Sequence, residues 1–294
     1  MLPGAARHGY EPDVPGEFTL STAAIAVPIL AEGEDDGGFH APGIEEFFPD
    51  AIFGSTELGS FFGFDRIMLV RLVVVAVLLL LLWLATRRAS LIPSRGQSIV
   101  ELGVGFVRDQ IAEQILGKER ARPYLAMLTT IFFTVLAMNL AGIVPFLNIA
   151  GTSRIGLPLV LALWVFIVYL SAGVRKHGLG KYLKAQLFPP GVPWPAYVLI
   201  TPIEALQVFV LRPATLTIRL VANMMAGHLM LVLCFAATHF LLLEGGGLIK
   251  LTGLLAFAGG LFITLFEVFI ALLQAYIFTL LSAIYVNFAL EEEH

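Results

Sequence analysis

Hydrophobic and polar positions in this chain separate into long apolar runs joined by short charged connectors. A helix needs about 20 consecutive apolar residues to cross a bilayer whose hydrocarbon core is ~30 Å thick. The first such run is 67–85, IMLVRLVVVAVLLLLLWLA, closed by Arg87 and Arg88. The second, about 124–147, follows the cluster Lys118, Glu119, Arg120 and Arg122 and contains Asn139. The third, 155–174, ends at Arg175 and Lys176, and two longer runs follow, roughly 198–243 and 251–290. This pattern predicts an all-α polytopic membrane protein with five membrane-crossing helices. The last run holds no proline from Leu251 to Leu290. As one helix it would extend ~60 Å at 1.5 Å per residue. The last two helices are therefore expected to tilt beyond the usual ~20°, with a kink at Pro213 in the first of them. A tilted pair of this length implies a partner surface within the membrane.

Between the first two runs, residues 95–117 set Ile99, Leu102, Val104, Phe106, Val107, Ile111 and Ile115 against Arg108, Asp109 and Glu113. The pattern suits an amphipathic helix on the inner surface; a plain connector is the alternative. Residues 1–65 are acidic and rich in Gly and Pro, which predicts a mostly disordered extracytoplasmic segment ahead of a membrane domain at 66–294. The apolar patch at 19–31 lacks the charged region that opens a secretory signal; a cleaved leader or a misplaced start codon are the other readings of this end.

Composition narrows the class. The 294 residues are 58% hydrophobic and 14% charged, with mean hydropathy +0.86, whereas soluble chains carry about 25% charged residues. The single cysteine, Cys234, excludes an intrachain disulfide and a thiol-based metal cluster. No G-x-x-x-x-G-K-[ST] string is present, so nucleotide chemistry is not expected here. The net charge of −4 hides an asymmetry: residues 1–65 hold twelve acidic residues and one basic residue, the remainder ten acidic and seventeen basic. With the N-terminus outside and the C-terminus in the cytoplasm, the inner loops take Arg87, Arg88, Arg95, Arg108, Lys118, Arg120, Arg122, Arg175, Lys176, Lys181 and Lys184. The short outer loops then hold only Arg154 and Lys250, which satisfies the positive-inside rule.

Polar residues within the last two runs carry the candidate chemistry. They are Arg219, Asn223, His228 and His239, then Glu267 and Gln274. A guanidinium stays charged at biological pH. At the centre of a membrane helix it costs at least ~2.5–3.5 kcal/mol, so it has to face protein or water and by default marks an ion or substrate path. An arginine that snorkels to the interface or pairs with a distant carboxylate is the bland alternative. Antiparallel packing brings His228 and Glu267 to similar depths, with Arg219 and Gln274 deeper. Nine residues at 100° each turn Arg219 and His228 to opposite faces, while Glu267 and Gln274 share one. Arg219 can then meet a partner while His228 and Glu267 line a watery route as a proton relay. The competing reading is a structural His–Glu pair that satisfies two buried groups. His239, near the outer end of its helix, is expected at the interface.

The strings RPATLTIRLVANMMAGH (212–228) and FEVFIALLQAYIFTLLSAIYV (266–286), with MNLAGIVP (138–145) and GVRKHGLGKYL (173–183), resemble subunit a of F-type ATP synthases. The resemblance extends over most of residues 66–294. It implies a bacterial plasma-membrane subunit that translocates protons through two offset half-channels to and from the carboxylates of a rotating c ring. The partners implied are that ring, the b-subunit peripheral stalk, the rest of the complex and the lipid bilayer; no cofactor, metal or nucleic acid is implied, and catalysis belongs to other subunits. Arg219 matches the family's essential arginine, Asn223 and Gln274 match polar residues near it, and His228 and Glu267 match the channel positions. Asn139 matches a polar residue of the second span, and Glu204 an acidic residue near the inner route. The acidic N-terminal segment is outside the family pattern. A sodium-coupled version of the same subunit, an unrelated secondary transporter and a non-transporting membrane scaffold are the rival readings; no internal repeat of the transporter kind is visible.

Overall fold

The computed structural model describes residues 66–87, 94–144, 151–188, 194–243, 246–247 and 249–291. The predicted disordered segment 1–65 lies outside the described residues. Those described are helical with short turns, and no strand occurs among them.

Helix α1, Arg66–Thr86, is a run of Val and Leu with no polar face. It buries only the stripe Ile67, Val70 and Val74, the last two packed with Met138 and Ala141 of the next apolar segment. Leu79, Leu80, Leu81 and Trp83 stay more than half exposed, as a lipid-facing surface requires.

Residues 95–116 are helical rather than a plain connector, but one unbroken α-helix accounts for only about half of them. Helix α2, Arg95–Phe106, starts at Ser94, whose hydroxyl accepts from the Gln97 N–H. It leaves Ile99 and Leu102 exposed. A π-helical turn, Val107–Ala112, follows, with the Glu113 N–H donating to the Arg108 carbonyl, and then the short α3, Glu113–Leu116. Val107, Ile111 and Ala112 are fully buried in the main core. One extra residue in the turn changes which side chains face inward, which a plain 3.6-residue period does not anticipate. After α4, Lys118–Ala121, the second predicted span is α5, Leu125–Leu140. Its 16 residues reach about 24 Å, short of the hydrocarbon thickness.

Four helices are long and apolar enough to cross a membrane: Ile67–Thr86, Gly156–His177, Tyr197–Leu243 and Ile249–Leu290. The remaining helix of the five predicted, α5, is apolar but shorter than these four. Helix α6, Gly156–His177, ends with Arg175 and Lys176, cations that suit a helix C-terminus, and His177. Gly178, at φ 82°, turns the chain into α7, Leu179–Leu187. Tyr182 folds back onto Gly173 so closely that a Cβ there would collide with the ring.

Helix α8, Tyr197–Leu206, runs through a π turn, Gln207–Leu211, into α9, Arg212–Leu243. The departure from α geometry falls at this turn, just ahead of Pro213 where the sequence predicts a kink. Helix α10, Ile249–Leu290, returns antiparallel and packs along α9, α5 and α6. Its register is fixed by close approaches of glycine: Gly253 against Leu241 and Leu242, Gly260 against Cys234 and Phe235, and Gly227 against Glu267. Gly253, Gly260, Glu267 and Gln274 thus form one stripe at seven-residue spacing facing α9. Small residues let two membrane helices approach closely.

The Tyr182–Gly173 contact makes a prediction about stability. Gly173→Ala should overpack this junction at a cost of about 1–3 kcal/mol, lowering the thermal midpoint of the purified protein. An unchanged midpoint would mean that Tyr182 does not lie on Gly173.

Candidate functional site

Arg219 lies near the middle of the 47-residue helical run Tyr197–Leu243. Its neighbours Thr217 and Leu220 are buried, whereas Arg219 is exposed, and no carboxylate lies within ion-pairing distance among the described residues. Pairing with an internal acid is therefore excluded for those residues, and the midpoint position argues against snorkelling. Thr215, Ala222 and Ala226 share the exposed face, so small side chains flank the cation. Asn223, half-buried, sits one turn on from Arg219.

His228 is buried on the opposite face of α9, as the nine-residue spacing demands. It lines a small pocket with Glu267 of α10 and with Asn139, Gly142, Ile143 and Met224. The pocket volume is ≈ 10 Å³, at the lower limit for one water. The Glu267 carboxylate sits against Gly227, where a Cβ would come 2.6 Å from Oε1. Glycine at this position is what leaves room for the acid. The structure thus unites Asn139, His228 and Glu267.

Gln274 is buried at nearly the same level as Arg219, and its Nε2 has no hydrogen-bond partner. Glu204 is not brought to this group: it is half-buried on α8, beyond the π turn, and does not line the pocket. His239 is exposed, toward the end of α9.

Three residues that the polar pattern did not single out also build the region. Arg71, inside the first apolar run, donates from Nε to the Gly151 carbonyl at 2.7 Å and from Nη2 to the Arg154 carbonyl at 3.3 Å. A cation within IMLVRLVVV was the available signal. Thr152, fully buried, donates its hydroxyl to Asn139 Oδ1 at 2.6 Å; no local pattern announces that contact. Arg212 sits at cation–π distance from Tyr169 and Tyr285, 5.9 and 5.6 Å from the ring centres. Its Nη1 is buried without a partner. Nearby, burial pushes the Tyr182 phenol above its ordinary range, partly opposed by Arg212.

Known proteins supply an independent line of argument. The family model described as ATP synthase A chain matches residues 68–287. The chain is 43% identical over 279 residues to ATP synthase subunit a of Rhodococcus erythropolis, covering 94% of this chain and 98% of the relative. It is 36% identical over 272 residues to the subunit of that name from Pseudarthrobacter chlorophenolicus, covering 92% and 98%. The Hyphomonas neptunium subunit a is 40% identical over 211 residues, covering 71% and 80%. A site built on the buried polar residues of α5, α9 and α10, and a match running from α1 to the end of α10, lead to one assignment: the chain belongs to the ATP synthase A chain family.

Proposed function

We propose that the chain is the proton-translocating stator subunit of an F-type ATP synthase membrane sector. It provides two offset half-channels to the carboxylates of a rotating c ring, and the b-subunit peripheral stalk holds it in place. Five crossings in a bacterial plasma membrane, with the N-terminus outside and the C-terminus in the cytoplasm, complete the reading. In it α5 and the residues after it serve as the second crossing, and the 42-residue α10 lies tilted along the ring. The observation that carries the proposal is the solitary Arg219 guanidinium, exposed at mid-helix, with the His228–Glu267 pocket on the other face.

The mechanism follows from charge. Protons enter from outside by the pocket of Asn139, His228 and Glu267 and pass to a ring carboxylate. The fixed charge on Arg219 opposes a free proton at mid-membrane and favours the ionised form of each ring carboxylate that passes it. A ring site must therefore give up its proton on one side of the arginine and take another on the other side. Two half-channels are then kept from becoming one leak. Asn223 and Gln274 supply polar partners beside the cation, and Glu204 marks the inner exit. The membrane field drives the cycle with about 2.3 kcal/mol per charge per 100 mV. The coupling ion is read as a proton because the pocket sets a histidine beside a carboxylate, two side-chain types suited to relaying protons.

Replacing Arg219 by Ala should abolish coupled synthesis and ATP-driven pumping while passive proton conductance through the membrane sector survives. Normal coupling in that variant would refute the role. Glu267→Gln should slow proton translocation by the reconstituted complex, with or without sodium in the medium; an unchanged rate would reduce His228 and Glu267 to structural partners. Gly227→Ala should push the carboxylate out of its seat and slow translocation without removing any ionisable group. Normal flux in this variant would show that the seat is immaterial.

A further inference from the structure

Asn139 is 1% exposed, and its amide carries two different hydrogen-bonding ends. Oδ1 accepts from Thr152, whereas Nδ2 is buried with no partner. A buried donor left unpaired is costly, and the same side chain lines the pocket that holds His228 and Glu267. That pocket has the size and the polar lining that a single water needs.

Thr152 is not placed there by chance packing. It belongs to residues 151–155, the described segment leading into α6, where Gly151, Thr152 and Ser153 are buried rather than laid over the surface. The Gly151 N–H donates to the Met138 carbonyl at 3.2 Å, one residue before Asn139. A Cβ on Gly151 would lie 2.5 Å from Met138 Sδ, so the connector could not sit this close with a larger residue. From the other side, Arg71 grips the Gly151 and Arg154 carbonyls. Two anchors thus flank Thr152 and fix its hydroxyl beneath the amide.

We propose that Thr152 is a positioning residue for the outer proton path. Its hydroxyl holds the Asn139 amide with the carbonyl turned to Thr152 and the NH2 turned to a water in the pocket shared with His228 and Glu267. The separation of 2.6 Å fits an O–H···O bond better than an N–H···O bond, whose usual length is ~2.9–3.0 Å. The hydroxyl therefore acts as donor, and the amide is locked one way round. Orientation matters because an NH2 donates to the oxygen of the water and leaves both of its hydrogens for His228 and Glu267. The reversed amide would take one of those hydrogens itself. This proposal rests on the proton-path reading given above.

The test is ATP-driven proton pumping by the whole complex in membrane vesicles, normalised to the amount of assembled complex. Thr152→Val keeps the shape and removes the hydroxyl; it should reduce pumping about fivefold, the factor for one lost hydrogen bond. Thr152→Ser should restore pumping to within about twofold of the parent, because it keeps the donor that the bond requires. In an Asn139→Ala background, Thr152→Val should have no further effect, since residues acting through one another are not additive. Should Asn139→Ala fail to assemble, Asn139→Leu serves as background, and the contrast of Val with Ser at Thr152 decides alone if neither assembles. The proposal is overturned if Thr152→Val pumps normally per complex, if Ser is as poor as Val, or if Val has the same effect in both backgrounds. Glu267→Gln measured in parallel separates the two levels. Normal pumping there sinks the proton-path reading, whereas slow pumping there beside normal Thr152→Val sinks only this proposal.

Discussion

A permanent positive charge within a long apolar helix is the constraint around which the structure is arranged. Lipid gives no solvation to a guanidinium, and a carboxylate from the same chain would neutralise it at once. Among the described residues Arg219 has no such carboxylate. Its exposed face carries Thr215, Ala222 and Ala226, side chains too short to cover it, so its solvation has to come from outside the chain. In a multi-pass subunit of a larger complex, that source is a neighbouring subunit or water held against one. Every other polar group of α9 and α10 in the proposed path is then sorted by its distance and face relative to this charge.

The hairpin of α9 and α10 achieves the sorting with small residues. Gly253 and Gly260 bring α10 against α9, and two further steps of seven residues place Glu267 and Gln274 on the same stripe. Gly227 completes the arrangement from the α9 side by leaving a carboxylate-sized space beside His228. Close packing and polar chemistry therefore share one seam. The pocket groups on it, His228 and Glu267, stay separated from Arg219 by the body of the helix, which keeps the pocket and the cation on opposite sides of one narrow barrier.

Much of this was legible in the sequence because helical periodicity is local. The opposite facing of Arg219 and His228, the common face of Glu267 and Gln274, and the two long helices follow from counting residues along one helix. Other features depend on contacts between segments distant in the chain. Asn139 joins His228 and Glu267 only because α5 packs beside the hairpin, and Thr152 reaches Asn139 only because Arg71 draws in the connector. The π turns at Val107–Ala112 and Gln207–Leu211 add a residue that breaks the regular period. That is why Val107, Ile111 and Ala112 turned out to be core, and why no simple wheel carries Glu204 onto the face of α9. In the second apolar run hydropathy continues past Leu140, whereas the described residues 141–144 form turns rather than α-helix.

A structure of the assembled complex in a lipid bilayer tests the central claim most directly. The account predicts that the Arg219 guanidinium lies near mid-membrane on the surface facing the ring, within reach of a ring carboxylate or of a water bound to one. It is contradicted if that guanidinium sits among lipid headgroups, or is paired with an acidic residue of its own chain and turned away from the ring.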